Sequence, residues 1–465
     1  MAACLINPFL HSNTHSSTPL RPSRNPQGQL ASPEALRYLI KKSQSPKQLH
    51  QIHGHILRRG LVGGDNTDST LHLLLLRLYS YSRLDLASRV FDLFSDPPTY
   101  AWNLMIRSNI AAGAPTDALL LYNRMVAAGV PVDKFTFPFT IRACSAIANV
   151  AKGKEVHAFA IKCGFARDSF FFNALISFYF ACGLEADARM VFDRMHVRTV
   201  VSWTAFVSGL VACGDLLAAR ASFEVMPEKN VVSWTAIING YARSGQPEEA
   251  FVLFRQMHKE NQKPNPYTIV ALLIACTKLG SLSLGRWVHE FASKNGMLKD
   301  GPYVGTALVD LYSKCGSVSD AIKVFNEMPV RSLATWNSMI TSFRVHGRWQ
   351  EALELFREML NRRLIPDCIT FAGVLCVCAR CGMVEEGLKL YREMKEHYNI
   401  EPGLLHNECL AVLLRCSPSL GNVDEVIQVL SSEFGISSQK KIDQICINPL
   451  KLNRGTSPYS VNTEA

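Results

Sequence analysis

His406-Asn-Glu408 has the spacing of a histidine that holds zinc and a carboxylate that moves a proton. Hydrolytic deamination of a base by that route also needs a downstream Pro-Cys-x-x-Cys, whose thiolates complete the metal site. After Glu408 only Cys409, Cys416 and Cys446 remain, and they form no Cys-x-x-Cys. Cys376-Val-Cys-Ala-Arg-Cys381 contains one such pair, Cys378 and Cys381, but no second pair follows at zinc-finger spacing. His157 and His289 occupy equivalent places in two similar segments, with His53 a third, which reads as packing and not as a ligand set or triad. Carboxylate pairs such as Glu248-Glu249 and Glu385-Glu386 fall where helices begin, and the helix dipole accounts for them. No phosphate-binding loop, nucleophile elbow or dinucleotide fingerprint is present. The expectation is a chain with no catalysis, metal or cofactor of its own.

What the residues do show is repetition. Val-Ser-Trp-Thr-Ala at Val201–Ala205 returns at Val232–Ala236, with variants at Tyr100–Leu104 and Ala334–Ser338. Glu-Ala-Phe-Val-Leu-Phe-Arg-Gln-Met at Glu249–Met257 returns as Glu-Ala-Leu-Glu-Leu-Phe-Arg-Glu-Met at Glu351–Met359. Each copy reads as two short amphipathic helices. In 231–265, Trp234, Ile237, Ile238 and Tyr241 fall at helical spacing, and Gly245 stops the first helix. Pro247-Glu248-Glu249 opens the second, whose apolar face is Ala250, Leu253, Phe254 and Met257. Neither helix has enough apolar surface to stand alone, so neighbouring pairs must stack, as in an all-α solenoid. Stacking also removes the size limit that 465 residues would place on a single core.

The register divides the chain into nine clear units, 99–133, 134–168, 169–199, 200–230, 231–265, 266–301, 302–332, 333–367 and 368–403, of 31, 35 or 36 residues. Independent landmarks agree. Trp234 to Trp336 and Cys276 to Cys378 both span 102 residues, and Trp102 to Trp234, Cys144 to Cys276 and His157 to His289 all span 132. Residues 34–98 read as degenerate repeats and 404–434 as one more degenerate helix pair, its second helix over 423–430. The polar stretch 435–465 reads as a disordered tail. Residues 1–33 contain no Asp or Glu, two arginines and seven Ser or Thr, as in an organellar transit peptide, with plastid favoured over mitochondrion. Of fourteen cysteines, many recur in register, as Cys-Gly at 182, 213, 315 and 381 and as Cys144, Cys276 and Cys378; small buried thiols in a reducing compartment are expected. No apolar run reaches the roughly 20 residues a membrane span needs. The net charge of +10 suits a polyanionic partner.

These strings and the 35/36/31 alternation resemble the plant pentatricopeptide repeat family, in its subclass of alternating long, standard and short motifs. The tetratricopeptide repeat, at a regular 34 residues, fits the mixture less well. The resemblance implies a right-handed α-solenoid that binds single-stranded RNA in organelles. It implies that the fifth and last residues of each motif read one base and that residue two covers the base face. Carried onto this chain, Asn103 with Asp133 and Asn337 with Asp367 favour uracil. Asn173 with Thr199 reads a pyrimidine, Thr204 with Asn230 and Thr235 with Asn265 read adenine, and Thr306 with Ser332 reads a purine. Tyr100, Val201, Val232 and Ala334 cover bases. Pro138, Val270 and Ala372, at position five of the long motifs, space instead of reading. The implied target is U-x-Y-A-A-x-R-U from the 5′ side. Within transcript maturation, C-to-U editing with a deaminase supplied in trans is favoured, because the subclass is associated with editing and some members carry their own deaminase-like extension. Splicing, end-processing or stabilisation is the alternative, and a protein–protein scaffold is the alternative of another class. His406 also falls where the family's terminal degenerate repeat carries a histidine before its first helix.

Overall fold

The computed structural model describes residues 83–416, together with 48, 51–54, 58, 76 and 79. The expected transit peptide, most of the degenerate segment 34–98, the helix over 423–430 and the tail 435–465 lie outside the described residues. Every regular element among the described residues is a helix, and the chain is an all-α repeat solenoid. First helices of successive pairs begin at Thr99, Thr136, Ser169, Val200, Val231, Pro266, Pro302, Leu333, Cys368 and Leu404. Two compact bodies divide in sequence between Cys182 and Gly183. In the first body, helix Thr99–Ala111 packs on Thr136–Ala146, which packs on Ser169–Ala181. In the second, the same row runs from Val200–Cys213 through Val231–Arg243, Pro266–Leu279, Pro302–Lys314, Leu333–Val345 and Cys368–Cys381 to Leu404–Arg415. From Leu216–Glu224 onward, second helices in that body flank the row, each against its own first helix and the next one.

The segment 231–265 shows why. Helix Val231–Arg243 starts at Asn230, whose side chain accepts the Ser233 N–H, and gives out at Ser244, just before Gly245. Trp234, Ile237 and Ile238 are fully buried. Helix Pro247–Lys259 opens with proline at its first turn beside Glu248 and Glu249, and it buries Ala250, Leu253, Phe254 and Met257. The tryptophans lock each pair to the preceding second helix. Trp102, Trp203, Trp234 and Trp336 meet Phe91, Phe192, Phe223 and Phe325 edge-on, with ring centroids 4.8, 4.9, 4.6 and 5.1 Å apart. Such pairs contribute about 0.5–1.5 kcal/mol beyond the area they bury.

A glycine lattice sits beside the tryptophan one. Gly153, Gly285 and Gly387 lie in second helices, and a Cβ at each would run into Phe178, Leu311 and Leu413 of the following first helix. They keep the spacings of 132 and 102 residues, and here the missing side chain sets how closely the helices approach.

The recurring histidines are interhelix ties. Nδ1 of His157 lies 2.8 Å from the Tyr179 hydroxyl, that of His289 lies 2.9 Å from Tyr312, and that of His53 lies 3.3 Å from Tyr79. Burial holds His289 below the ordinary imidazole value of 6.5 and pushes Tyr312 up to about 12. Glu327 and Asp320 pull His289 upward and Lys323 pushes it further down, without reversing the direction. The unfolded chain therefore takes a proton near 6.5 that the folded chain refuses. This contribution to stability is complete above that pH and shrinks as pH falls below it. In His289→Gln, the loss of melting temperature between about pH 7 and pH 5 is expected to be smaller than in the parent; an unchanged acid-side slope would contradict this.

The cysteines divide into two sets. Cys144, Cys276 and Cys378 are buried as expected, and burial pushes their thiols up to about 11, 12 and 12. The Cys-Gly set corrects the expectation of burial: Cys182 and Cys315 are half-buried, and Cys213 and Cys381 are exposed. Gly183, Gly214, Gly316 and Gly382 turn the chain with positive φ, and the cysteine before each one rides on the rim of that turn.

Candidate nucleic-acid interface

The last residue of six reading units has a structural task that the sequence reading did not assign: its side chain accepts backbone N–H groups at the start of the next first helix. Asn230 Oδ1 accepts the Ser233 N–H at 2.8 Å, and Asn265 Oδ1 accepts the Thr268 N–H at 2.8 Å. Asp367 Oδ1 accepts Thr370 N–H at 2.8 Å, and Asp133 Oδ1 accepts the N–H groups of Phe135 and Thr136 at 2.8 and 3.0 Å. Thr199 and Ser332 cap with their hydroxyls, accepting from Ser202 and Thr335 at 3.3 Å. A donor N–H at the cap demands an oxygen opposite it, so the orientation of each amide is set. The remaining atom of each head then differs by residue type. In Asn230 and Asn265 it is Nδ2, a donor; in Asp133 and Asp367 it is Oδ2, an acceptor.

In five of the reading pairs the fifth residue leans on the cap or on the Ser or Thr bonded to it. Asn103 Nδ2 donates to Asp133 Oδ1 at 2.8 Å, and Asn337 Nδ2 donates to Asp367 Oδ1 at 2.9 Å. The two Asn–Asp sites thus repeat the same bond in different bodies. Thr204 Oγ1 donates to the Val200 carbonyl at 2.7 Å and lies 3.4 Å from Asn230 Oδ1. Thr235 Oγ1 lies 2.7 Å from Thr268 Oγ1, and Thr306 Oγ1 lies 2.7 Å from Thr335 Oγ1. The threonines are half-buried, but Asn103 and Asn337 are only 4% and 6% exposed, less open than an outward-facing reader was expected to be. Desolvation concentrates what remains: Oδ1 of Asn103 is buried without a hydrogen-bond partner, as is Oδ1 of half-buried Asn173. Asn173 belongs to the first body and Thr199 to the second. Of the long-motif residues expected to space, Pro138 is buried, and Val270 and Ala372 are half-buried.

Residue two of each repeat unit is exposed. Tyr100, Val201 and Val232 are open to solvent, as is Ala334. The same position carries Phe135 and Phe170 in the first body and Tyr267, Tyr303 and Ile369 in the second, which the sequence reading passed over. The exposure of the large side chains in this set runs from 43% to 59%. Their signal was available, since Phe170, Tyr267, Tyr303 and Ile369 are each one residue into a first helix, as Tyr100 and Val201 are, and Phe135 directly precedes one. Within each body neighbouring rings touch: Phe135 and Phe170 have centroids 6.2 Å apart, and Tyr267 and Tyr303 are 5.8 Å apart. Lys134 Nζ sits 5.2 Å over the Phe135 ring, which places a cation beside the row. The arrangement offers an exposed side chain at position two of each unit, and a directed donor or acceptor in the units that end in Asn or Asp. Such a site can cover the face of a planar base and bond its edge.

His406 is held by hydrogen bonds at both ring nitrogens. It lies inside helix Leu404–Arg415, not before it. Its Nδ1 accepts the Gly403 N–H at 3.0 Å, so Nε2 carries the proton and donates to the Cys368 carbonyl at 2.7 Å. Both ring nitrogens are engaged in capping and bracing the helix.

Comparison with known proteins adds the following. Models described as PPR repeat family match residues 229–278 and 331–380, and those described as PPR repeat match 100–130, 170–200, 201–231, 306–333 and 369–398. The pentatricopeptide repeat-containing protein At3g26630, chloroplastic, of Arabidopsis thaliana is 46% identical over 409 residues, covering 88% of this chain and 89% of the relative. The pentatricopeptide repeat-containing protein ELI1, chloroplastic, of the same species is 41% identical over 431 residues, covering 90% of this chain and 67% of the relative. The crystal structure of the pentatricopeptide repeat protein PPR10 from maize is similar with a TM-score of 0.55 at 16% identity, covering 86% of this chain and 68% of that one.

Proposed function

This chain belongs to the pentatricopeptide repeat family, and from that premise we propose that it binds single-stranded organellar RNA, about one base per helix pair, as a site-recognition factor in transcript maturation. The observation that carries this reading is the split use of the capping residue. One oxygen holds the helix start, and the other head atom is left as a donor in Asn230 and Asn265 and as an acceptor in Asp133 and Asp367. A donor suits the ring nitrogen acceptor of adenine or cytosine, and an acceptor suits the ring N–H of uracil or guanine. The fifth residue, Thr or Asn, then selects purine or pyrimidine, as the family resemblance implies. A structural cap alone would be satisfied by any of Ser, Thr, Asp or Asn, so capping does not explain why Asn103 and Asn337 pair with Asp while Thr204 and Thr235 pair with Asn.

On this reading the target is U-x-Y-A-A-x-R-U, and the long motifs contribute stacking plates in place of edge contacts. We assign the chain to the subclass of alternating motif lengths and favour C-to-U editing, with the deaminase recruited in trans. The chloroplast is the favoured compartment, supported by the chloroplastic names of the two relatives above and by the leader-like residues 1–33. Crosslinking the protein to RNA in its organelle and sequencing the bound transcripts tests this directly. The expected result is one or a few transcripts carrying the pattern a short distance 5′ of an edited cytidine. Bound transcripts whose introns or ends change instead would assign splicing or end-processing, and recovery of no RNA would favour the protein scaffold.

The plates give a separate prediction. Tyr303→Ala removes an exposed ring, so its melting temperature should match the parent while RNA affinity falls by about 1–3 kcal/mol, the value of one base–aromatic stack. Equal affinity in a filter-binding titration would remove Tyr303 from the interface.

A further inference from the structure

Cys376 and Cys409 stand apart from the other cysteines. Their Sγ atoms are 3.0 Å apart and both side chains are fully buried. Cys376 lies on helix Cys368–Cys381 and Cys409 on helix Leu404–Arg415, which pack together. Neither is one of the register cysteines. The residues at the equivalent places one cycle earlier are Ile274 and Ala307, and in the first body Arg142 and Ala174. Packing of the repeat therefore does not demand a thiol at either position. A disulfide bond is about 2.05 Å long, so a further approach of about 1 Å would join the two sulfurs.

We propose that Cys376 and Cys409 form a reversible dithiol–disulfide site that fastens helix Leu404–Arg415 to the preceding repeat. The two sulfurs are not equivalent. Hydrogen bonding from Cys409 holds Cys376 below the ordinary thiol value, with Arg344 and Arg380 adding to the effect, and the same bond with burial raises Cys409. That asymmetry belongs to the packed state, in which the two thiols face each other. When Leu404–Arg415 lifts, either thiol, as its thiolate, attacks a low-molecular-weight disulfide, forming a mixed disulfide and releasing one thiolate. Return of the helix brings the other cysteine, which loses its proton and attacks the protein sulfur of the mixed disulfide, expelling the second small thiolate. Two protein thiols become one disulfide while one small disulfide becomes two thiols. Burial makes opening of the helix the gate for oxidation, and the bond once formed suppresses that opening.

The test uses the full chain with Cys4, Cys163, Cys213, Cys368, Cys381, Cys416 and Cys446 changed to serine, exposed to oxidised glutathione under native conditions. Peptide mass spectrometry is expected to find a Cys376–Cys409 linkage that dithiothreitol reverses, and hydrogen exchange in 404–415 should slow on oxidation. Cys409→Ala, which installs the residue found at position 307, should fold and lose both effects. Absence of the linkage in the folded chain overturns the proposal. So does its appearance only in denaturant, or linkage of Cys376 to Cys378 in equal amount.

Discussion

Exchanging Thr235 for Asn and Asn265 for Asp together is expected to move the base preferred by that helix pair from adenine to uracil. The expected shift is about 1–3 kcal/mol between the two bases, with tenfold in affinity for each 1.4 kcal/mol. The double variant should fold, because it rebuilds a site the chain already holds twice. In those sites an asparagine amide donates to a capping aspartate at 2.8 and 2.9 Å. Asp at 265 can keep the bond from Thr268 N–H that Asn265 now accepts at 2.8 Å. What changes is the head atom not used by the cap, from the donor Nδ2 to the acceptor Oδ2, and with it the edge that can be bonded. Asn265→Ala is the control that separates the two tasks of this residue. It should lower stability by about 1 kcal/mol through the lost cap and reduce discrimination without creating a uracil preference. If the double variant binds RNAs with A and U at that position in the same ratio as the parent, the assignment of Thr235 and Asn265 as a reading pair fails.

Gly153→Ala is expected to destabilise the first body even though alanine is the better helix former. In an open helix the exchange would gain up to about 1 kcal/mol. Here the new methyl group would overlap the Cζ end of the Phe178 ring, a fully buried side chain. Overpacking of this kind costs about 1–3 kcal/mol, so the net loss should be about 1 kcal/mol or more in a denaturant titration. Phe178→Leu introduced with Gly153→Ala should restore part of the loss, and more than the sum of the two single effects allows. A stabilised Gly153→Ala protein would mean that the two helices can part freely there.

The fold was legible from residues whose identity is forced by packing. Trp234 recurs as Trp203 and Trp336 because an edge-on contact with a phenylalanine closes each pair. Pro247, Glu248 and Glu249 mark a helix start by local chemistry alone. The candidate site was legible by position and less so by physics. Asn230, Asn265 and Asp367 were read only as polar groups facing a ligand, although a Ser or Thr three residues on (Ser233, Thr268 and Thr370) spells out a capping box. The near-burial of Asn103 and Asn337 could not be read, because it depends on the neighbouring unit closing over them. The plates at Phe135, Phe170, Tyr267 and Tyr303 follow from position alone, in long and short motifs alike, but their exposure depends on the packing around each helix start. Gly153 and Gly285 carried the signal of spacing but no side chain to notice. The contact of Cys376 with Cys409 lies between elements and leaves no local pattern at all.

If the capped pairs read bases in register, scrambling the RNA must weaken binding. Equilibrium binding of the full chain to a short single-stranded RNA containing U-x-Y-A-A-x-R-U, against a scrambled RNA of the same composition at the same salt, measures it most directly. Phosphate contacts are shared by both RNAs, so the difference isolates base reading. With several positions scrambled at about 1–3 kcal/mol each, the account predicts at least a hundredfold preference for the patterned RNA. Equal affinity for the two RNAs, or no binding to either, would contradict it.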